Sequence, residues 1–253
     1  MTDGISLAGK VALITGAAGA IGTETAALMA QRGATIVAVD RPGTDFGPLE
    51  ARIGAEILTI EADVTSEESV RAYVDKAMWK HGRIDIFFNN AGIEGPVKPI
   101  QDYPLEDFHK VFAVNVDGVF LGLKYVLPVM IAQGSGSVIN SSSVAGLSGA
   151  PGMAGYNSSK HAVIGLTRVA AVEVAAKGVR VNCVNPGPIH SRMMDSLDEG
   201  AGATEEARGK GVPAGRYGKP EEVAGLVAFL ASDDATYING SFHTVDGGLD
   251  ATA

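Results

Sequence analysis

Short apolar, β-branched runs alternate with longer segments of helical period along almost the whole chain. "KVALITG" (10–16) predicts a strand, and "AIGTETAALMAQRG" (20–33) a helix that closes on Gly33. "TIVAVD" (35–40) is a second strand, and "AEILTIEADVT" (55–65) contains a third. A helix is expected over 65–82, with Thr65 or Ser66 at its start, acids in its first turn and Lys80-His81-Gly82 at its end. "RIDIFFNNAG" (83–92) holds the fourth strand. The run 105–133 reads as helical, in two pieces or distorted at Pro128. "GSVINSSS" (136–143) is a fifth strand, 156–178 a helix ending at Gly178, and "VRVNCVNPG" (179–187) a sixth strand. A last helix begins near Pro220, and "FHTVDGG" (242–248) gives a short final strand. The early strands are apolar on both faces, as happens when helices cover both sides of a parallel sheet. This order predicts an α/β fold: one doubly wound parallel sheet with helices on both faces. The stretch 187–219, rich in Gly, Ala and charge, reads as a long loop of the functional kind.

Bulk composition narrows the classes. The 253 residues suit one large α/β domain. Apolar residues make up 46% and charged residues 19%, which is globular and not disordered. A net charge of −9 argues against nucleic acid or an anionic lipid surface as partner. Cys183 is the single cysteine, so no internal disulfide framework exists and a reducing compartment is expected. No run looks long and apolar enough for a membrane helix, and the first ten residues lack a signal-peptide core. A soluble cytoplasmic protein is the expectation.

Ligands of an open α/β sheet bind outside the carboxyl ends of its strands. After the first strand comes "TGAAGAIG" (15–22), whose glycines let the backbone approach a pyrophosphate at a helix start. After the second comes Asp40, placed for a ribose diol, with Arg41 directly behind it. "NNAG" (89–92) follows the fourth strand and "NSSSVAG" (140–146) the fifth. Further on, Tyr156 stands four residues before Lys160, on one face of a helix. A cation there favours phenolate over phenol. The histidines (81, 109, 161, 190 and 243) show no metal-ligand spacing, so no metal site is expected. Cys183 reads as a buried, inert thiol, Met193 and Met194 as the floor of an apolar pocket, and "EEARGKG" (205–211) as a solvated face.

Taken in order, the glycine loop, "ADV" (62–64), "NNAG", "NV" (115–116), Ser143 with Tyr156-x-x-x-Lys160, "NPG" (185–187) and "VDGG" (245–248) resemble the short-chain dehydrogenase/reductase family. The resemblance runs from Lys10 to Gly248 and implies a single-domain Rossmann-like fold over residues 1–253. It implies Tyr156 as general acid/base, Lys160 as the residue that lowers its pKa and holds the nicotinamide ribose, Ser143 on the substrate oxygen, and Asn115 at a helix distortion that holds a water. It implies cofactor contacts from Gly16, Gly19, Ala20, Ile21, Gly22, Asp40, Arg41, Asp63, Val64, Asn90, Ala91, Gly92, Pro186, Gly187, Ile189 and Ser191, besides Tyr156 and Lys160. Two departures stand out: Ala20 occupies the place of the loop's middle glycine, and Ser191 that of the usual threonine.

The expected activity is oxidation of a secondary alcohol or reduction of its ketone, with NAD in preference to NADP and a small cyclic or apolar substrate. The alternatives are a 3-oxoacyl-carrier-protein reductase and, from another class, a non-catalytic dinucleotide-binding regulator. The positions where carrier-protein enzymes keep basic docking residues are Pro128 and Val172 here. A homotetramer is expected from the family.

Overall fold

The computed structural model describes residues 5–252. Seven parallel strands form one sheet in the order β3-β2-β1-β4-β5-β6-β7. They are β1 (Val11–Thr15), β2 (Thr35–Asp40), β3 (Leu58–Glu61), β4 (Ile86–Asn89), β5 (Gly136–Ser141), β6 (Val179–Pro186) and β7 (Phe242–Val245). Between them run α1 (Ala20–Gln31), α2 (Gly47–Ile53), α3 (Glu67–His81), α4 (Leu105–Phe112), α5 (Gly118–Gln133), α6 (Ala154–Val174), α7 (Arg192–Ala201), α8 (Glu205–Lys210) and α9 (Pro220–Ala231). Strand order reverses between β1 and β4, which places a crevice at the carboxyl ends of those two strands.

Two cores sandwich the sheet. Val11 and Leu13 face the side covered by α3, α5 and α6, where Tyr73, Val74, Val126, Met130, Val163 and Val174 are buried. Their neighbours Ala12 and Ile14 face the other side, against Ala26 and Met29 of α1 and Val223, Val227 and Leu230 of α9. The two-residue period thus feeds both cores, and every residue of β1 is buried. Helix α3 starts and stops as its sequence predicts. Ser66 Oγ accepts from Ser69 N at 3.3 Å, Glu67 and Glu68 fill the first turn, and Gly82 ends it at φ +73°.

Four expectations need correction. Helix α2 was not anticipated; it is only seven residues, with Pro48 in its first turn and left-handed Gly54 at its end. Of the two alternatives for 105–133, the two pieces are found, as α4 and α5, whereas α5 runs unbroken through Pro128, which sits on its exposed side, where the carbonyl left without a donor can be hydrated. The irregularity that joins them is a π-turn over Ala113–Asp117, at the helix distortion the family resemblance implies for Asn115. The same run, Leu105–Gln133, is long and apolar enough by composition to cross a membrane, contrary to the reading above. Its apolar character is spent on the core, where Val119, Leu121, Leu123, Val126 and Met130 are buried. Finally, 187–219 is not a plain loop. It holds α7, capped by Ser191 Oγ on Met194 N (3.2 Å), and α8, capped by Thr204 Oγ1 on Ala207 N (3.2 Å).

Candidate active site

Helix α6 brings Tyr156 and Lys160 to one buried face, and the turn after β5 brings Ser143 opposite them. All three line a cleft of about 630 Å³ beyond the carboxyl ends of the sheet. Lys160 Nζ lies 5.5 Å from the Tyr156 ring centroid. It donates to the Ser141 carbonyl at 2.9 Å. Burial lowers the ammonium pKa to about 8. Burial likewise raises the Tyr156 phenol, while the Ser143 hydroxyl draws it down and the Glu94 charge adds to the rise. The expectation is that Lys160 and the positive nicotinamide act together on the phenol; in the protein alone, burial is the largest influence on it.

The supports are tight. Asn185 Nδ2 donates to the Ser143 carbonyl at 2.8 Å, and Ser142 Oγ donates to the Lys160 carbonyl at 2.8 Å. Asn115, fully buried in the π-turn, exchanges two bonds with the Ile93 backbone: it accepts from N at 2.8 Å and donates to O at 2.9 Å. Its Nδ2 also donates to Ser159 Oγ (3.0 Å), which donates to the Tyr156 carbonyl (2.7 Å). Asn115 thus ties the β4 exit to the Tyr156 turn of α6. Gly155 is required there, since a Cβ would approach Tyr103 Oη to 2.8 Å.

The dinucleotide cradle is also assembled. Gly16 has φ +62°, and a Cβ on Gly22 would lie 2.2 Å from the Gly16 carbonyl, so the loop folds back on the start of α1. Gly19 is the N-cap and Ala20 the first helical residue, where its methyl is tolerated half-exposed. Asp40 reaches this loop: Oδ2 accepts from Ala18 N at 2.9 Å and Oδ1 from Arg41 N at 2.8 Å. Arg41 is exposed. Asn90 Nδ2 donates to the Thr15 and Gly16 carbonyls, both at 3.2 Å. A close-approach loop with a carboxylate beside it fits a dinucleotide of the nicotinamide type.

Other residues fall less neatly. Asp63 turns its carboxylate onto its own turn, accepting from Thr65 N and Oγ1, and Val64 packs beside Gly118 at the start of α5. Ile21, Asn90, Gly92, Pro186, Gly187, Ile189 and Ser191 line the cleft, and Ala91 N donates to Thr15 Oγ1 at 3.1 Å. Ser191 spends its hydroxyl on the α7 cap and on the Ile189 carbonyl (3.1 Å). Met193 and Met194 floor the cleft as anticipated, with Met153 and Leu197. His190 does not line it; its half-exposed ring packs 5.6 Å from that of Tyr217. Cys183 is buried, and burial pushes its thiol up to about 11. Among the described residues no group of three or more His, Cys, Asp or Glu is arranged to hold a metal ion.

Two contributors escaped the sequence reading. Thr15 Oγ1 accepts from Asn90 N (2.9 Å) as well as Ala91 N, and so fixes the β1 and β4 exits together. Arg208, expected on a solvated face, lines the cleft.

A family model described as Enoyl-(Acyl carrier protein) reductase matches residues 16–250. Levodione reductase of Leifsonia aquatica is 42% identical, covering 96% of this chain and 94% of its own. The 3-oxoacyl-[acyl-carrier-protein] reductase of Thermotoga maritima is 43% identical over 96% and 98%. Cyclohexanol dehydrogenase of an Acinetobacter strain is 39% identical over 94% of each chain. A crystal structure of levodione reductase superposes with a TM-score of 0.94 at 40% identity, covering 97% of this chain and 99% of that one. Solved structures of similar chains hold NAD⁺ in one case and NADP in another. The chain belongs to the short-chain dehydrogenase/reductase family, as an oxidoreductase acting on CH–OH groups.

Proposed function

We propose that the protein interconverts a small, apolar cyclic secondary alcohol and its ketone, with NAD as the preferred cofactor. The observation that carries this is the convergence of Ser143, Tyr156 and Lys160 on one wall of a cleft otherwise floored by methionine and leucine. Levodione reductase and cyclohexanol dehydrogenase are named for ring substrates of this kind.

In reduction, Tyr156 Oη hands its proton to the substrate oxygen as charge develops there. Ser143 Oγ holds that oxygen by a hydrogen bond that strengthens as the carbon becomes tetrahedral. Lys160 stabilises the phenolate left behind and draws the next proton toward it. Asn115 keeps the first turn of α6 fixed, so that the phenol does not wander from the reacting oxygen. The nicotinamide, when bound, supplies the hydride. The cradle from Gly16 to Gly22 would take the pyrophosphate and Asp40 the adenosine ribose.

Charge favours NAD. Asp40 is anchored by two backbone N–H groups at the cradle's edge, and a 2′-phosphate would meet that carboxylate. We further propose a homotetramer acting in the cytoplasm; exposed Phe120, Val169 and Val172 on α5 and α6, and Phe242 on β7, supply apolar surface for subunit contacts.

The direct test is Tyr156→Phe. Removing the proton donor while keeping the ring should lower kcat by about 10²–10⁴-fold, with cofactor affinity, read by NADH fluorescence, left within roughly threefold. A Phe variant retaining more than about a tenth of wild-type kcat sinks the assignment.

A further inference from the structure

The cap over the cleft carries a charge pair that the proton-transfer wall does not need. Asp198, in α7, is buried, yet both its oxygens are occupied: Arg208 Nε donates to Oδ1 at 2.5 Å and Tyr217 Oη to Oδ2 at 2.6 Å. Tyr217 is itself buried. Arg208, a third exposed, is the cation that α8 contributes to the cleft lining. Its two Nη groups find no protein acceptor among the described residues, so its donors remain open while its charge is offset. Asp250 lines the same cleft, and no cation lies within ion-pair distance of it among the described residues. The only other cation in the lining is Lys160, deep at the proton-transfer wall.

We propose that the Asp198–Arg208 pair sets the charge selectivity of the substrate cleft, admitting uncharged ring ketones and alcohols and disfavouring substrates that carry a carboxylate. The inference rests on the function proposed above. An unpaired arginine in a half-closed cleft attracts an anion. Arg208 is denied that role because a fixed carboxylate already stands 2.5 Å from it. Asp250 pushes the balance further toward neutral ligands. Arg208 can still donate to an uncharged oxygen on the far side of a ring.

The test uses two ketones of similar shape, 4-methylcyclohexanone and 4-oxocyclohexanecarboxylate, with kcat/KM measured for each by NADH consumption. Wild-type enzyme should favour the neutral ketone. Asp198→Asn keeps hydrogen-bonding groups at both positions but frees the arginine charge, and should move the ratio toward the carboxylate by about tenfold, more at low salt. Arg208→Met keeps an apolar stem and leaves Asp198 uncompensated, so the ratio should move the other way. A clasp that only shapes the cap would weaken both ketones alike in both variants. A ratio unchanged in Asp198→Asn, or displaced in the same direction by both substitutions, overturns the inference and leaves the proposed activity standing. Failure of wild-type enzyme to reduce either ketone overturns both.

Discussion

The cofactor preference turns on one carboxylate, and its size follows from where that carboxylate is held. Asp40 ends β2 with its side chain pinned by Ala18 N and Arg41 N, and with Thr44 Oγ1 at 3.4 Å, so it cannot swing away from an incoming phosphate. At about 4 Å and an effective dielectric of 20, each unit of like charge costs roughly 4 kcal/mol before screening. Salt and exposure reduce that, and the exposed Arg41 guanidinium recovers part of it by pairing with the phosphate. A residue of at least about 1.4 kcal/mol survives, which is tenfold in kcat/KM for NAD over NADP.

Asp40→Ser removes the repulsion and also the diol contact. The NAD value should fall by roughly tenfold, as for a lost charged hydrogen bond, while the NADP value rises. The substitution also frees the Ala18 and Arg41 N–H groups, so a loosened loop could mimic the effect. Asp40→Asn separates the two causes, because its amide oxygen still accepts from Ala18 N while the charge is gone. Initial rates with both cofactors in the three proteins decide the matter. Wild-type preference for NADP, or a ratio that Asp40→Ser leaves unchanged, would refute the reasoning. A shift in Ser without one in Asn would assign the effect to loop anchoring and not to charge.

Two more outcomes are expected. Lys160→Met should be inactive when supplied with cofactor, yet more stable at pH 7 as the cofactor-free protein. The buried ammonium titrates near 8 instead of 10.5, a penalty of about 3 kcal/mol present below that range and relieved between pH 8 and 10.5, because the unfolded chain binds more protons there. Part of the gain is lost with the bond to Ser141, so a net of about 2 kcal/mol is expected by denaturant melts, shrinking as pH rises through that window; a less stable Met variant at pH 7 would contradict it. A free ring ketone should be reduced at least as efficiently as acetoacetyl carrier protein, because Pro128 and Val172, both on the surface, offer an acidic carrier no cation; a preference above about a hundredfold for the carrier substrate, several kcal/mol of docking, would favour the reductase alternative.

Much of the sheet was legible because the early strands are apolar on both faces, as in β1 and β2, a pattern that a doubly covered parallel sheet explains. Helices α1, α3 and α9 were legible through their ends: Gly33, Ser66, Gly82 and Pro220 mark boundaries by local chemistry. The errors fall where a boundary depends on distant partners. Pro128 is a strong local signal for a break, but it lies on the outer side of α5 and breaks nothing. The irregularity at Ala113–Asp117 was legible only through the family resemblance, which implies a distortion at Asn115; it is held by Asn115 bonding to Ile93, twenty-two residues away along the chain. Helices α7 and α8 are short, and their caps, Ser191 and Thr204, were hidden in a stretch whose Gly and charge content imitates a loop.

The same distinction separates what the motif could say of the site from what it could not. Ser143, Tyr156 and Lys160 are singled out by the family resemblance, and one helix and one strand exit set their geometry. The far wall of the cleft has no such spacing rule. In "LDEGAGATEEARGKG" the acids and bases are all alike by sequence, and nothing local marks Asp198 as the buried one or Arg208 as its partner. That choice is made by packing: Leu197 and Met194 bury one face of α7 over the cleft, and the turn from Asp198 carries its carboxylate inward to Tyr217. A carboxylate so placed must find donors or cost several kcal/mol, and Arg208 from α8 with the Tyr217 hydroxyl are the donors it finds. Substrate charge selectivity is therefore settled by how a cap satisfies its own buried acid.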